Sequence, residues 1–126
     1  MDNCIFCKIV DRQIPAHILD ENESVIAFLS LENHPLIVTK KHISDIYSLD
    51  EKSGAEIMKE AVKIAKAVKL GLKCDGVYIA QANEAAAGQD VFHYHMHIYP
   101  RWNDSRQLES GEENGRLTAE HVKSVL

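Results

Sequence analysis

At 126 residues with 45% apolar content, the chain has room for one hydrophobic core and reads as a single domain over 1–126. A formal charge of −5 and the lack of any Lys/Arg run exclude a protein that grips nucleic acid through its phosphate backbone, although a small phosphorylated ligand needs only local charge. No apolar run approaches the ~20 residues of a membrane span, and Met1-Asp2-Asn3-Cys4 opens without a basic and then apolar leader. A soluble, cytoplasmic protein with no membrane partner is expected, and three cysteines, an odd number, fit a reducing compartment better than a disulfide framework.

Residues 17–20 and 25–29 (VIAFL) are predicted strands around Glu21-Asn22-Glu23, and 36–39 (LIVT) a third, as in an antiparallel meander. Ser48-x-x-Glu51 then reads as a capping box. Behind it Ile57, Ala61, Ala65, Val68 and Leu72 recur at helical spacing until Gly71 and Gly76 interrupt them. VYIAQ (77–81) is a predicted strand, ANEAAAGQ (82–89) a loop, and FHYHMHIYP (92–100) a strand ended by Pro100. A last helix is expected over 117–125, and Cys74 is expected to be an inert, partly buried thiol.

The alternation in VFHYHMHIYPR, Val91 to Arg101, carries the chemistry. On a strand His93, His95 and His97 share one face, while Phe92, Tyr94, Met96 and Ile98 line the other and make core. Residues two apart stand roughly 7 Å from one another, so neighbouring imidazoles can meet one small group. A polar sheet face explains one histidine more readily than three in register. A metal site is a second reading, because two such histidines can reach one zinc if other ligands complete the tetrahedron. Cys4-x-x-Cys7 is a half-site of that kind, equally readable as a redox pair or two core cysteines. His42, in KKH after the third strand, could add a third ligand and one histidine of the row a fourth, leaving the others free.

These segments together resemble the histidine triad (HIT) family of nucleotide hydrolases and transferases: CIFCKIV, IPAHILDENESVIAFL, HPLIVTKKH and AAAGQDVFHYHMHIYPR follow in its order and nearly its spacing. The resemblance covers about residues 3–102, with 103–126 as a C-terminal extension. It is greatest to the small, dimeric Hint-type branch. What it implies is an α+β fold, with a five-stranded antiparallel sheet, one long helix and short terminal helices, and a sheet extended across a homodimer. It implies hydrolysis of purine nucleoside 5′-phosphoramidates or related phosphoanhydrides through a nucleotidyl-histidine.

Residue by residue, the resemblance makes His95 the nucleophile. A histidine's reference pKa of about 6.5 leaves the ring mostly neutral at pH 7, with a free lone pair. His97 matches the histidine that contacts the phosphate and bridging atoms, and Gln89 with the backbone at Val91 matches groups orienting phosphate and water. Cys4, Cys7, His42 and His93 match ligands of a structural Zn²⁺. Ile5, Phe6, Ile9, Phe28 and Leu31 match apolar walls of the nucleoside pocket, and Ser30, Asn83 and Asp90 stand at further nucleotide-facing positions.

Several positions depart from the family pattern. Ser30 replaces an acidic residue that holds the ribose, Asn33 replaces a glycine in a loop about four residues shorter than usual, and Thr39 replaces a proline. Ala82, Asn83 and Glu84 stand where two asparagines and a glycine are common, and Asp90 replaces a hydroxyl. An active enzyme with altered specificity is expected. The alternatives are a zinc-stabilised nucleotide-binding or scaffold protein with little turnover, and a three-histidine metal hydrolase, which would leave the cysteine pair unused.

Overall fold

A computed structural model describes residues 3–126; Met1 and Asp2, on which part of the N-terminal expectation rests, lie outside the described residues. The elements run α1 (Ile5–Val10), β1 (Ile18–Glu21), β2 (Val25–Leu29), β3 (Pro35–Thr39), α2 (Glu51–Gly71), β4 (Gly76–Ala80), β5 (His95–Arg101) and α3 (Glu112–Lys123). The five strands form one antiparallel sheet in the order β1-β2-β3-β5-β4. This is the expected α+β fold with one long helix and short helices at either end. No helix among the described residues is long and apolar enough to cross a membrane.

The meander follows from local chemistry. The Asn22 side-chain oxygen accepts the N–H groups of Ser24 and Val25 at 2.8 and 3.0 Å, a side-chain turn that reverses the chain between β1 and β2. β2 and β3 are buried at every residue because the sheet is covered on both sides, and their β-branched side chains suit that environment. On one side, Val25, Ala27, Leu29, Ile37, Tyr94, Met96 and Ile98 pack against Ile57, Ala61, Ile64 and Val68 of α2. On the other, Ile26, Phe28, Leu36 and Val38 meet Phe6 and Ile9 of α1. Full burial of each large aliphatic side chain contributes about 1.5–3 kcal/mol, so α2 and α1 are held by the faces they cover.

The helix ends differ from the sequence expectation. Asp50, and not Ser48, caps α2, its carboxylate accepting the Ser53 N–H at 2.8 Å; Ser48 closes a short 3₁₀ turn over Ile46–Ser48. The buried stripe is Ile57, Glu60, Ala61, Ile64, Ala67 and Val68, with Ala65 half-buried beside it. Gly71 is the last helical residue instead of a breaker. A Cβ there would lie 2.5 Å from the His121 carbonyl oxygen, so the glycine is what lets α3 approach α2. That last helix begins at Glu112, five residues before the expected Leu117, and buries Gly115, Thr118, Ala119 and Val122. Cys74 is buried.

The histidine strand also starts later than its alternation suggests. Val91–Tyr94 is irregular and β5 begins at His95. Phe92 consequently stands 55% exposed and is not core, whereas Tyr94, Met96 and Ile98 do enter it. At the other end Pro100 lies inside β5, opposite Val77. β3 pairs only up to His97, so the proline costs nothing on that side.

Glu60 is the one charged side chain of the buried stripe, 4% exposed, and its Oε2 has no partner. Burial and the neighbouring Asp20 carboxyl push its pKa up to about 7. Burial also pulls Asp20 up, but hydrogen bonds with Glu60 and Lys63 outweigh it and leave that group below its ordinary range. The folded state therefore holds the Glu60 proton, and the associated stability is complete below about pH 4.5 and lost as pH rises through about 7. Thermal melts of Glu60→Gln should show a higher Tm than wild type at pH 8 and little difference at pH 5. A difference independent of pH would refute the shared-proton arrangement.

Candidate active site and metal cluster

The Cys-x-x-Cys spacing does its work at the start of α1. Cys4 is the N-cap residue and its sulfur accepts the Cys7 N–H at 3.4 Å, so one turn of helix turns both sulfurs to the same side. They meet His42 and His93 there. Cys4 Sγ lies 3.3 Å and Cys7 Sγ 3.6 Å from His93 Nδ1, and Cys7 Sγ lies 3.3 Å from His42 Nδ1. All four donor atoms fall within 4.8 Å of one another.

The donor set fits a tetrahedral metal. Ligand bonds of about 2.0–2.3 Å place S and N donors about 3.5 Å apart, close to the spacings here. His93 is also in the right tautomer. Its Nε2 lies 2.7 Å from the Thr39 carbonyl oxygen, which only accepts, so Nε2 carries the proton and Nδ1 is bare toward the sulfurs. Burial, only partly offset by that hydrogen bond, holds the His93 pKa below its ordinary value. Burial and the adjacent Cys4 push the Cys7 thiol up to about 11. A cation at the cluster would favour the Cys7 thiolate against that shift.

The next histidine is oriented by the first. His95 Nδ1 lies 2.7 Å from the His93 carbonyl oxygen, so Nδ1 bears the proton and Nε2 is left facing the site. Phe6 packs edge-on against both His93 and His95, at 5.9 and 5.0 Å between ring centroids. His95 is 5% exposed. Asp90 Oδ1 stands 3.6 Å from His95 Nε2 on a side chain that is 80% exposed.

His97 is oriented by a residue that the sequence reading did not place in the site. His34 Nε2 lies 2.9 Å from His97 Nδ1, and His34 Nδ1 lies 3.1 Å from Ser30 Oγ. Ser30 Oγ already accepts the N–H groups of Glu32 and His34, so its own proton goes to His34. His34 then donates through Nε2 to His97, whose Nε2–H faces outward. Burial, with help from His97, Arg101 and His95, lowers the His34 pKa to about 4, so it stays neutral. Burial and His95 lower the His97 pKa against the opposing pull of Asp90 and Glu32. Tyr99 Oη also reaches His97 Nδ1, at 3.2 Å.

Gln89 and Asn83 brace the loop that carries Asp90 and Val91. Gln89 Oε1 accepts the Glu84 N–H at 2.6 Å while Nε2 donates to the carbonyls of Ser44 and Val91 at 2.7 and 3.2 Å. Asn83 Oδ1 accepts the Ile46 N–H at 2.7 Å, and its amide pairs with Gln81. Of the five expected pocket-wall residues, Phe6, Ile9 and Phe28 are packed together beside the histidine row, Ile5 is 40% exposed, and Leu31 is 92% exposed. Asn33 takes φ 71°, the left-handed conformation that suits the family glycine and that asparagine tolerates, and its side chain donates to the Glu109 carbonyl at 2.9 Å. Beyond His97 a cavity of about 280 Å³ is lined by Glu32, His34, Tyr99, Arg101 and Gln107.

His34 has a signal in retrospect. Leu36 pairs with His97, and two residues back along the same face comes His34. Only the strand register reveals it.

Comparison with known proteins bears on the chain as a whole. The profile of the HIT domain matches residues 11–104. Adenosine 5′-monophosphoramidase hnt1 of Schizosaccharomyces pombe is 32% identical over 127 residues, covering 98% of this chain and 92% of the relative. A crystal structure of a Hit-like protein from Bartonella henselae superposes with TM-score 0.92 at 32% identity, covering 100% of this chain and 98% of that one. A Zn-bound histidine triad family protein from Mycobacterium smegmatis gives TM-score 0.84 at 31% identity, with 98% and 95% covered. With the His93-His95-His97 row, its fold and the HIT domain match over most of its length, the chain belongs to the HIT family.

Proposed function

We propose that the chain hydrolyses purine nucleoside 5′-phosphoramidates, or related phosphoanhydrides such as dinucleoside polyphosphates, through a nucleotidyl-His95 intermediate. The observation that carries this reading is the 2.7 Å hydrogen bond from His95 Nδ1 to the His93 carbonyl, which leaves Nε2 as the reactive nitrogen. The S. pombe relative's name, adenosine 5′-monophosphoramidase, supports the reaction class.

In the first step the Nε2 lone pair attacks the α-phosphorus and the bond from phosphorus to the leaving nitrogen breaks. The leaving group departs with the bonding pair and takes a proton from solvent. His97 donates its Nε2–H to a phosphoryl oxygen, offsetting charge as it develops. The ring, now bonded at both nitrogens and cationic, donates its Nδ1–H more strongly to the His93 carbonyl. Water then attacks phosphorus and gives up a proton to solvent, the P–Nε2 bond breaks with its pair returning to nitrogen, and the nucleoside monophosphate leaves. Gln89 and Asn83 hold the loop against which the phosphate sits, and Ser30 is given over to His34.

We assign the four-residue cluster a structural Zn²⁺, supported by its donor spacing and by the Zn-bound relative. Cys4, Cys7, His42 and His93 would hold it, fixing α1, the end of β3 and the start of β5 to one another. We also propose a homodimer extended across β4. This strand is one of the sheet's two edges and exposes Tyr78 and Ile79, and unpaired apolar edges seek partners.

Three outcomes test these readings. With adenosine 5′-phosphoramidate, His95→Ala should lower kcat/KM at least about a thousandfold, and wild type quenched in alkaline denaturant should carry a nucleotidyl adduct by intact mass. Full turnover in the variant, or AMP binding by a wild type that turns over nothing, would leave a nucleotide-binding protein instead. Elemental analysis should find one zinc per chain, absent from Cys7→Ser with a lower Tm; a metal-free wild type of equal Tm would refute the site. Sedimentation should show a dimer that Ile79→Lys converts to monomer, and a monomeric wild type contradicts the edge pairing.

A further inference from the structure

We propose that Asp90 selects leaving groups by charge, so that the site accepts amines that are neutral or carry an additional positive charge and discriminates against anionic leaving groups such as polyphosphates. This inference rests on the hydrolase reading above. Its ground is placement. The Asp90 carboxylate stands 3.6 Å from His95 Nε2, the atom that must approach phosphorus to bonding distance, so any reacting phosphoryl group arrives within a few ångströms of a carboxylate.

A second carboxylate lies on the side of His97. Glu32 lines the cavity beyond it with His34, Tyr99 and Arg101, and both Asp90 and Glu32 oppose the burial that lowers the His97 pKa. A leaving group displaced in line departs on the far side of phosphorus from Nε2, and the two carboxylates act on it through space. Among the described residues neither carboxylate pairs with a lysine or arginine.

The guanidinium on the same strand face also lines that cavity but stands away from the nucleophile. Arg101 is six residues beyond His95, about 20 Å along the strand, and its guanidinium lies over the rings of Tyr99 and Tyr78 at 4.8 and 5.6 Å. Sites that bind polyphosphates supply lysine, arginine or a divalent cation at the phosphates. Here the nucleophile has a carboxylate in that position. Each added negative charge on the leaving group is repelled, and a positive one is attracted.

The test uses three adenosine 5′-phosphoramidates of matched size, whose leaving amines are 1,2-diaminoethane, ethanolamine and glycine, bearing an ammonium, a hydroxyl and a carboxylate at the far end. At low ionic strength the wild type should rank cation over neutral over anion in kcat/KM. The spread should be about tenfold, the scale of charge effects at an exposed position, and should shrink in 0.5 M salt, where the Debye length is only a few ångströms. Asp90→Asn should compress it to about twofold, and the neutral substrate reports any general damage to the site. Glu32→Gln should compress it in the same sense by less. An unchanged spread in Asp90→Asn, with the neutral amine still turned over, would overturn the assignment while leaving the hydrolase reading intact. No turnover of any of the three by wild type would remove both.

Discussion

The hydrogen bond from His95 Nδ1 to the backbone carbonyl of His93, 2.7 Å long, is the constraint on which the rest of the site depends. It fixes which nitrogen of His95 faces outward, and it does so through the main chain of a residue whose ring belongs to the Cys4-Cys7-His42 cluster. The segment that supplies the carbonyl is irregular, since β5 begins only at His95. His93 is tied down by its own ring, through Thr39 on one nitrogen and the sulfurs on the other. A distortion at the cluster would therefore reach the reactive nitrogen through two residues of backbone. That is the physical link between the proposed metal site and the proposed phosphoryl-transfer site, which share no side chain.

The sheet makes this link possible by separating two tasks. Its α2 face buries a continuous apolar layer that includes Tyr94, Met96 and Ile98, and that layer sets the register of β5. With the register set, the alternation of a strand sends His95, His97 and Tyr99 to the other face, where α1 and its Phe6 cover them only in part. Stability and chemistry thus reside on alternate residues of one seven-residue strand. His97 is oriented by a second, separate route, from Ser30 through His34. Ser30 stands at a position that resembles one for an acidic sugar-binding residue. Here its hydroxyl closes the short turn and ends the proton chain, so its departure from the family pattern is matched by a different job.

What could be read from the sequence was whatever a short periodicity encodes. Alternating histidines, a two-residue gap between cysteines and an apolar repeat in α2 each specify a local geometry, and the order of the segments carried the family resemblance, with it the fold and the grouping of Cys4, Cys7, His42 and His93. What escaped depends on tertiary context. Ser48 and Asp50 are both good capping residues, and only the packing of the preceding 3₁₀ turn selects Asp50. Phe92 fits the alternation but precedes the point where the strand becomes regular. His34 needs the β3–β5 register. Gly71 looks like a helix breaker until the backbone of α3 is found against it. The apolar residues matched to a nucleoside pocket divide into packed and exposed sets that no pattern in the sequence separates.

The most direct test of the account is the tautomer of His95, read from long-range ¹H–¹⁵N correlation spectra of the imidazoles at pH 8 and assigned with His95→Ala. The predicted result is a protonated Nδ1 and a bare Nε2 on His95, together with a protonated Nε2 on His93. A His95 ring protonated at Nε2 would mean that the His93 carbonyl does not orient it and that the reactive nitrogen has been assigned wrongly.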